Sequence, residues 1–135
     1  MHLDLIPAGT RLTANMDGEA QDVRESKTRT FLCTLWITDQ IEQESIDVSV
    51  WGSADGQDWG AMPLLKMPQQ FYRGKTRQVL DLSLKPEINF IRAKCEVTRW
   101  GRVAPTPMFV IQFWVEEIPA FTRTGPAAIP TPASA

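Results

Sequence analysis

Hydrophobic and polar residues alternate along most of this chain with a period of two, the spacing of a β-strand that buries one face. The clearest example is the run 30–38, in which four apolar side chains share one face: Phe31, Cys33, Leu35 and Ile37. Similar alternation predicts four later strands, at 45–51, 78–84, 88–97 and 107–118. These runs are rich in β-branched and aromatic residues, which favour strands.

The segment before these runs is also predicted to be extended, with short strands at 3–6 and 11–16 and a turn at Asp17-Gly18. Residues 39–44 could form one helical turn between strands and no more. The pattern predicts an all-β fold, a single antiparallel β-sandwich or jelly roll of seven or eight strands over 1–118. The core should contain the inward side chains of these strands: Leu35, Ile37, Val48, Val50, Leu80, Leu82, Ile91, Cys95, Phe109, Ile111 and Phe113.

The composition changes at Pro119. Residues 119–135 contain four prolines, five alanines and one charged residue, Arg123. Such a segment cannot build a packed core, and its prolines favour an extended conformation. We interpret it as a Pro/Ala-rich tail or linker, or as a segment that docks on a neighbouring subunit through Phe121 and Ile129.

Composition limits the class of protein. The 135 residues are 43% hydrophobic and 22% charged, which is typical of one globular domain. No stretch reaches the roughly 18–20 apolar residues that a membrane-spanning helix needs. The N-terminal residues lack the basic and long apolar regions of a secretory signal, so we expect a cytoplasmic protein or a component of a larger particle.

Charge is distributed unevenly along the chain. Residues 1–61 carry 11 carboxylates and four basic residues, whereas 62–135 carry ten basic and five acidic residues. Three arrangements fit this division: a basic face for an anionic partner, acidic strands paired with basic strands, or self-association of unlike surfaces.

Few residues suit metal binding or catalysis. The chain has two cysteines, Cys33 and Cys95, and one histidine, His2, with no Cys-x-x-Cys spacing. A Cys/His zinc site therefore lacks ligands, and the cysteines are expected to be reduced and buried. No nucleophile or phosphate-binding motif is present, so we predict a protein that is not an enzyme and has no cofactor.

The most informative local motif is Ser53-x-Asp55-Gly56-x-x-Trp59, which follows an alternating strand. It resembles the hairpin of discoidin-like and other galactose-binding-like β-sandwich modules, over about residues 46–97. The later segment Asn89-Phe-Ile-Arg-Ala93 resembles a strand of the same modules. The resemblance implies a β-sandwich with a binding or structural role. It transfers no ligand-binding residue, and only 45 residues precede Ile46, fewer than the full discoidin arrangement requires.

The residues of this motif fit two interpretations. Asp55 and Gly56 can form a turn that lets the Trp59 indole cover the end of the sheet and the core. Alternatively, Trp59 stacks on a sugar beside the carboxylates, or Asp55 and Asp58 contribute to a calcium site.

Two segments mix aromatic and basic residues, at 66–77 and 92–102. This combination is used for stacking bases and neutralising phosphates. The overall negative charge argues against nucleic-acid binding.

These observations favour a structural or assembly role, with a protein partner or a second copy of the chain. The alternative is a module that binds a carbohydrate or another small ligand. Its site would lie on the loops 52–60 and 98–107, which we expect to emerge at one end of the sandwich. The candidate ligand-binding residues are Trp59, Trp100, Asp55, Asp58, Arg99 and Arg102.

Overall fold

The computed structural model describes residues 1–41, 44–99 and 108–119, and all regular structure in these ranges is β. The all-β prediction is therefore confirmed for this part of the chain. The prediction of a helical turn at 39–44 was wrong, because residues 39 and 40 belong to one strand and Glu44 begins the next. The strands are β1 (His2–Leu12), β2 (Met16–Asp17), β3 (Gln21–Asp22), β4 (Thr30–Gln40), β5 (Glu44–Ser53), β6 (Leu65–Lys66), β7 (Gly74–Asp81), β8 (Phe90–Arg99) and β9 (Phe109–Glu117).

The strands form two antiparallel sheets. The four-stranded sheet has the order β1-β9-β4-β7, and the five-stranded sheet has the order β2-β8-β5-β6, with β3 also paired to β8. From β4 onwards the long strands alternate between the sheets, since β4, β7 and β9 belong to the first and β5 and β8 to the second. The pairs β4–β9 and β5–β8 occupy the middle of their sheets.

Both sheets direct apolar side chains into one buried cluster. Strands β4 and β9 contribute every second residue, and β5 and β8 do the same from the other sheet. All eleven positions predicted for the core are buried, so that prediction is confirmed. The largest fully buried side chains include Phe31, Phe109 and Phe113.

The N-terminal segment differs from its prediction. The structure has one strand from His2 to Leu12, which pairs with β9 and contains two irregularities. Asp17-Gly18 is not a turn, because Asp17 lies in β2 opposite Lys94. Gly18 is needed for close approach: a Cβ there would lie 2.4 Å from the carbonyl oxygen of Leu5.

The strand predicted at 78–84 begins four residues earlier, at Gly74, and ends three residues earlier. It ends at Asp81, whose Oδ1 accepts a hydrogen bond of 2.8 Å from the backbone N–H of Ser83. This side-chain bond turns the chain directly after the last bond to the β4 side, from the Leu82 N–H to the Arg29 carbonyl. Leu84 therefore does not continue the buried face and is 90% exposed.

The two cysteines are free thiols in opposite sheets, Cys33 in β4 and Cys95 in β8. Burial raises the pKa of each thiol to about 12. The expectation of reduced, buried cysteines is confirmed, and both are protonated at neutral pH.

The carboxylate of Glu117, at the end of β9, holds the 27–28 backbone. Its Oε2 accepts hydrogen bonds from the N–H groups of Lys27 and Thr28 at 2.7 and 2.8 Å, and from the Thr28 hydroxyl at 3.1 Å. The bond from Thr28 N–H is the main reason that the pKa of Glu117 falls from 4.5 to about 2.

We expect Phe109→Ala and Phe113→Ala each to reduce the free energy of unfolding by about 3–5 kcal/mol, because each leaves a cavity between the sheets. Urea denaturation measures the loss. Leu84→Ala is the control and should change stability by less than about 0.5 kcal/mol. A loss below about 1 kcal/mol at both phenylalanines would contradict the assigned core.

We expect Glu117→Gln to reduce stability by about 1–3 kcal/mol at pH 7, since charged acceptors make the stronger hydrogen bonds. The folded-state pKa is lower than the unfolded one, so this stabilisation is complete above pH 4.5 and disappears as the pH falls towards about 2. Denaturation of both proteins between pH 7 and pH 2 tests this. A difference that stays constant across that range would contradict it.

Candidate functional site

The Ser53–Trp59 motif forms a turn that is satisfied by its own side chains. The Ser53 hydroxyl accepts the N–H groups of Asp55 and Gly56 at 3.2 and 2.8 Å. It also donates to Oδ1 of Asp55 at 3.0 Å. Gly56 has a φ of 80°, the left-handed region that glycine adopts without strain. The motif therefore encodes a turn directly.

Both candidate carboxylates take part in this turn. Oδ1 of Asp55 accepts the N–H groups of Asp58 and Gln57 at 2.9 and 2.8 Å, and these bonds lower the pKa of Asp55. Oδ1 of Asp58 accepts the N–H of Gly60 at 3.0 Å. An open cavity of about 280 Å³ lies beside the turn and is lined by Gly52, Ser53, Ala54, Asp55, Asp58, Gly60 and Ile88.

The Trp59 indole does not cap the core. Its ring is partly buried against the Arg92 guanidinium, whose carbon lies 4.5 Å from the ring centroid. Arg92 points away from the core, because its neighbours Ile91 and Ala93 are the buried residues of β8. Trp59 therefore lies on the outer face of the five-stranded sheet.

The two loops that were expected to share one end begin at opposite ends. Strands β5 and β8 are antiparallel, with Ser53 opposite Phe90 and Glu44 opposite Arg99. At about 3.3 Å per residue, Ser53 and Arg99 are roughly 30 Å apart along the strands. The single-end prediction was wrong, because it assumed that β5 and β8 run in the same direction.

The other candidate residues are only partly described. The Arg99 backbone pairs with Glu44 in the five-stranded sheet. Trp100 and Arg102 lie outside the described residues, as does the tail beyond Pro119.

Sequence reasoning missed three tryptophans that lie on strands, Trp36, Trp51 and Trp114. Each occupies an outward position in an alternating run, where a polar residue is usual. Together with Trp59, each contacts a basic side chain or an imidazole. The Nζ atom of Lys75 lies 4.5 Å from the Trp36 ring centroid, and that of Lys94 lies 5.2 Å from the Trp51 centroid. The guanidinium carbon of Arg92 lies 4.5 Å from the Trp59 centroid. The ring centroids of His2 and Trp114 are 6.5 Å apart.

The outer face of the four-stranded sheet carries an apolar band across three adjacent strands. Trp36 is 38% exposed and Val79 is 53% exposed. Thr34 lies under the band, and its buried Oγ1 has no hydrogen-bond partner among the described residues. We call this set the tryptophan face: Leu32, Trp36, Val79, Val110 and Trp114.

Charged residues border the tryptophan face on both sides. Asp4 of β1 lies opposite Trp114, and Arg77 of β7 lies opposite Thr34, which itself pairs with Trp114. The four residues therefore form one row across the sheet. Along β1 the same face carries Asp4 and Arg11, and along β7 it carries Lys75, Arg77 and Asp81.

Comparisons with known proteins add no assignment. No protein-family model matches the chain, and no curated protein is detectably similar to it. Within residues 1–41, 44–99 and 108–119, no group of three His, Cys, Asp or Glu side chains could hold a metal ion. The same ranges contain no helix that could cross a membrane.

We expect Ser53→Ala to reduce the free energy of unfolding by about 1–3 kcal/mol, because two backbone N–H groups in partly buried hydrogen bonds lose their acceptor. Thermal or urea denaturation measures this. Thr13→Ala, at an exposed position, is the control. An unchanged stability in Ser53→Ala would show that the turn does not depend on its hydroxyl.

Proposed function

We propose that this chain is a non-enzymatic β-sandwich module of jelly-roll topology that assembles by self-association. The single buried cluster shared by both sheets supports a sandwich. The alternation of long strands between the sheets supports the jelly-roll connection.

The tryptophan face is the observation that carries the assembly role. The outer face of an antiparallel sheet is ordinarily polar, whereas here two indoles and three aliphatic side chains share it. Leu32 of β4 and Val79 of β7 are direct cross-strand neighbours. Trp36 lies on the same face of β4, four residues after Leu32. Exposed apolar side chains on the outer face of a sheet are typical of interaction surfaces, in which tryptophan is enriched.

A second copy of the chain is the partner that best matches this face. If two copies pack face to face about a two-fold axis parallel to the strands, β7 of one copy lies over β1 of the other. Asp4 and Arg77 belong to the same row, so each Arg77 then meets the other copy's Asp4. The contact occurs twice, as two-fold symmetry requires.

The same operation places the two indoles in the centre. Strands β4 and β9 lie in the middle of the sheet, so Trp36 of one copy lies over Gln112 of the other, and Trp114 lies over Thr34. Leu32 lies over Glu116. Tryptophan at the centre and charged residues at the rim are typical of a protein interface. The rim pairs determine which way the two faces meet.

Charge exchange tests this arrangement. We expect Arg77→Glu alone and Asp4→Lys alone each to weaken dimerisation at least about tenfold, because like charges meet twice. Mixing the two variants should restore dimers, as should combining both substitutions in one chain. Sedimentation velocity over a concentration series measures this, with Lys85→Glu as the matched control on an exposed turn.

Two results would overturn the proposal. One is a wild-type protein that remains monomeric at concentrations up to several hundred micromolar. The other is a dimer whose affinity is unaffected by Trp36→Ala and by both charge reversals, since another surface would then form the interface.

A further inference from the structure

The outer face of the five-stranded sheet carries a second group of aromatic and polar residues. We propose that it binds an uncharged glycan chain with flat, β-linked pyranose rings. We call it the mixed face: Ser49, Trp51, Trp59, Lys66, Arg92 and Lys94. It lies on the opposite sheet from the tryptophan face, so glycan binding does not depend on the proposed self-association.

Two indoles on this face flank one guanidinium. Trp51 of β5 lies directly opposite Arg92 of β8, and Trp59 packs on the same Arg92 from the 54–60 turn. The Trp51 ring is oriented by a hydrogen bond of 2.9 Å from its Nε1 to the Ser49 hydroxyl. Both indoles are only partly buried, so they are fixed in place and still accessible.

Polar side chains form a row beside the indoles. Ser49 pairs with Lys66 on one side and with Lys94 on the other, and Lys94 pairs with Asp17. The row therefore extends across four strands, β6, β5, β8 and β2. It offers both donors and acceptors along the edge of the aromatic surface.

Asp47 and Glu96 form the next row and are direct cross-strand neighbours. Gln69 lies beside them and donates from Nε2 to Oδ2 of Asp47 at 3.0 Å. These groups add acceptors at the same face.

The charges on this face indicate an uncharged ligand. Its three cations, Lys66, Arg92 and Lys94, are matched by three carboxylates, and Arg92 already lies 3.7 Å from Asp17. A polyanion requires a clear excess of positive charge, which this face does not have. The carboxylates are Asp17, Asp47 and Glu96.

The shape of the surface favours a chain over a compact molecule. The indoles lie on an open sheet face, and the cavity of about 280 Å³ is lined by residues that do not belong to the mixed face. A β-linked pyranose ring has an apolar surface of axial hydrogens that stacks on an indole, and its equatorial hydroxyls point sideways to polar groups. Donors and acceptors beside an aromatic surface suit that ring.

Calorimetry with cellohexaose, an uncharged β-linked hexasaccharide, tests the proposal. We expect binding to the wild-type protein and a loss of at least about tenfold in affinity in Trp51→Ala and in Trp59→Ala, since stacking on an indole is removed. Trp51→Phe and Trp59→Phe keep an aromatic ring and should retain more affinity than the alanine variants. Tyr72→Ala, which removes an exposed aromatic ring outside both faces, is the matched control and should bind as the wild type does.

A heparin hexasaccharide distinguishes a charged ligand from an uncharged one. Binding of heparin without binding of cellohexaose would overturn the proposal, as would no binding of cellohexaose at millimolar concentration. Equal affinity in all the tryptophan variants would also overturn it. The Arg77→Glu variant changes only the face proposed for self-association, so it should bind cellohexaose as the wild type does. Loss of dimerisation and loss of glycan binding can therefore be distinguished.

Discussion

Burial of one face of each central strand pair is the constraint on which the rest of this structure depends. The β4–β9 and β5–β8 pairs supply most of the shared core, and their side chains alternate strictly between inside and outside. A slip of one residue in either pair would expose Phe113 or Val48 and bury charged groups, so the register is strongly determined. The same alternation fixes which side chains point outward, and therefore the content of both outer faces.

The strands and the core could be predicted because their signal is local. Alternation within β4 identifies Leu35 as inward without knowledge of its neighbours. The role of Gly18 could not be found in this way, because it depends on the approach of Leu5, a residue that is distant in the chain. The direction of β5 relative to β8 is also a property of pairing, and for this reason the placement of the two loops at one end failed.

The candidate site was only partly predictable for a related reason. Ser53, Asp55 and Trp59 attract attention because they form a recognisable motif, yet the motif mainly stabilises its own turn. Trp36 and Trp114 have no motif, and they become a surface only when β4 and β9 are placed side by side. Large apolar residues at outward strand positions are the sequence signal that indicates such surfaces.

The pairing of β1 with β9 has a consequence for synthesis of the protein on the ribosome. His2 lies opposite Glu116, and β4 also needs β9 as its neighbour. The four-stranded sheet therefore cannot form until the last of its strands has left the exit tunnel, about a hundred residues after the first. Until then the apolar faces of β1 and β4 lack their partner, and contacts of such long range also fold slowly. Exposed apolar strand faces make the unfinished chain prone to aggregation during this interval.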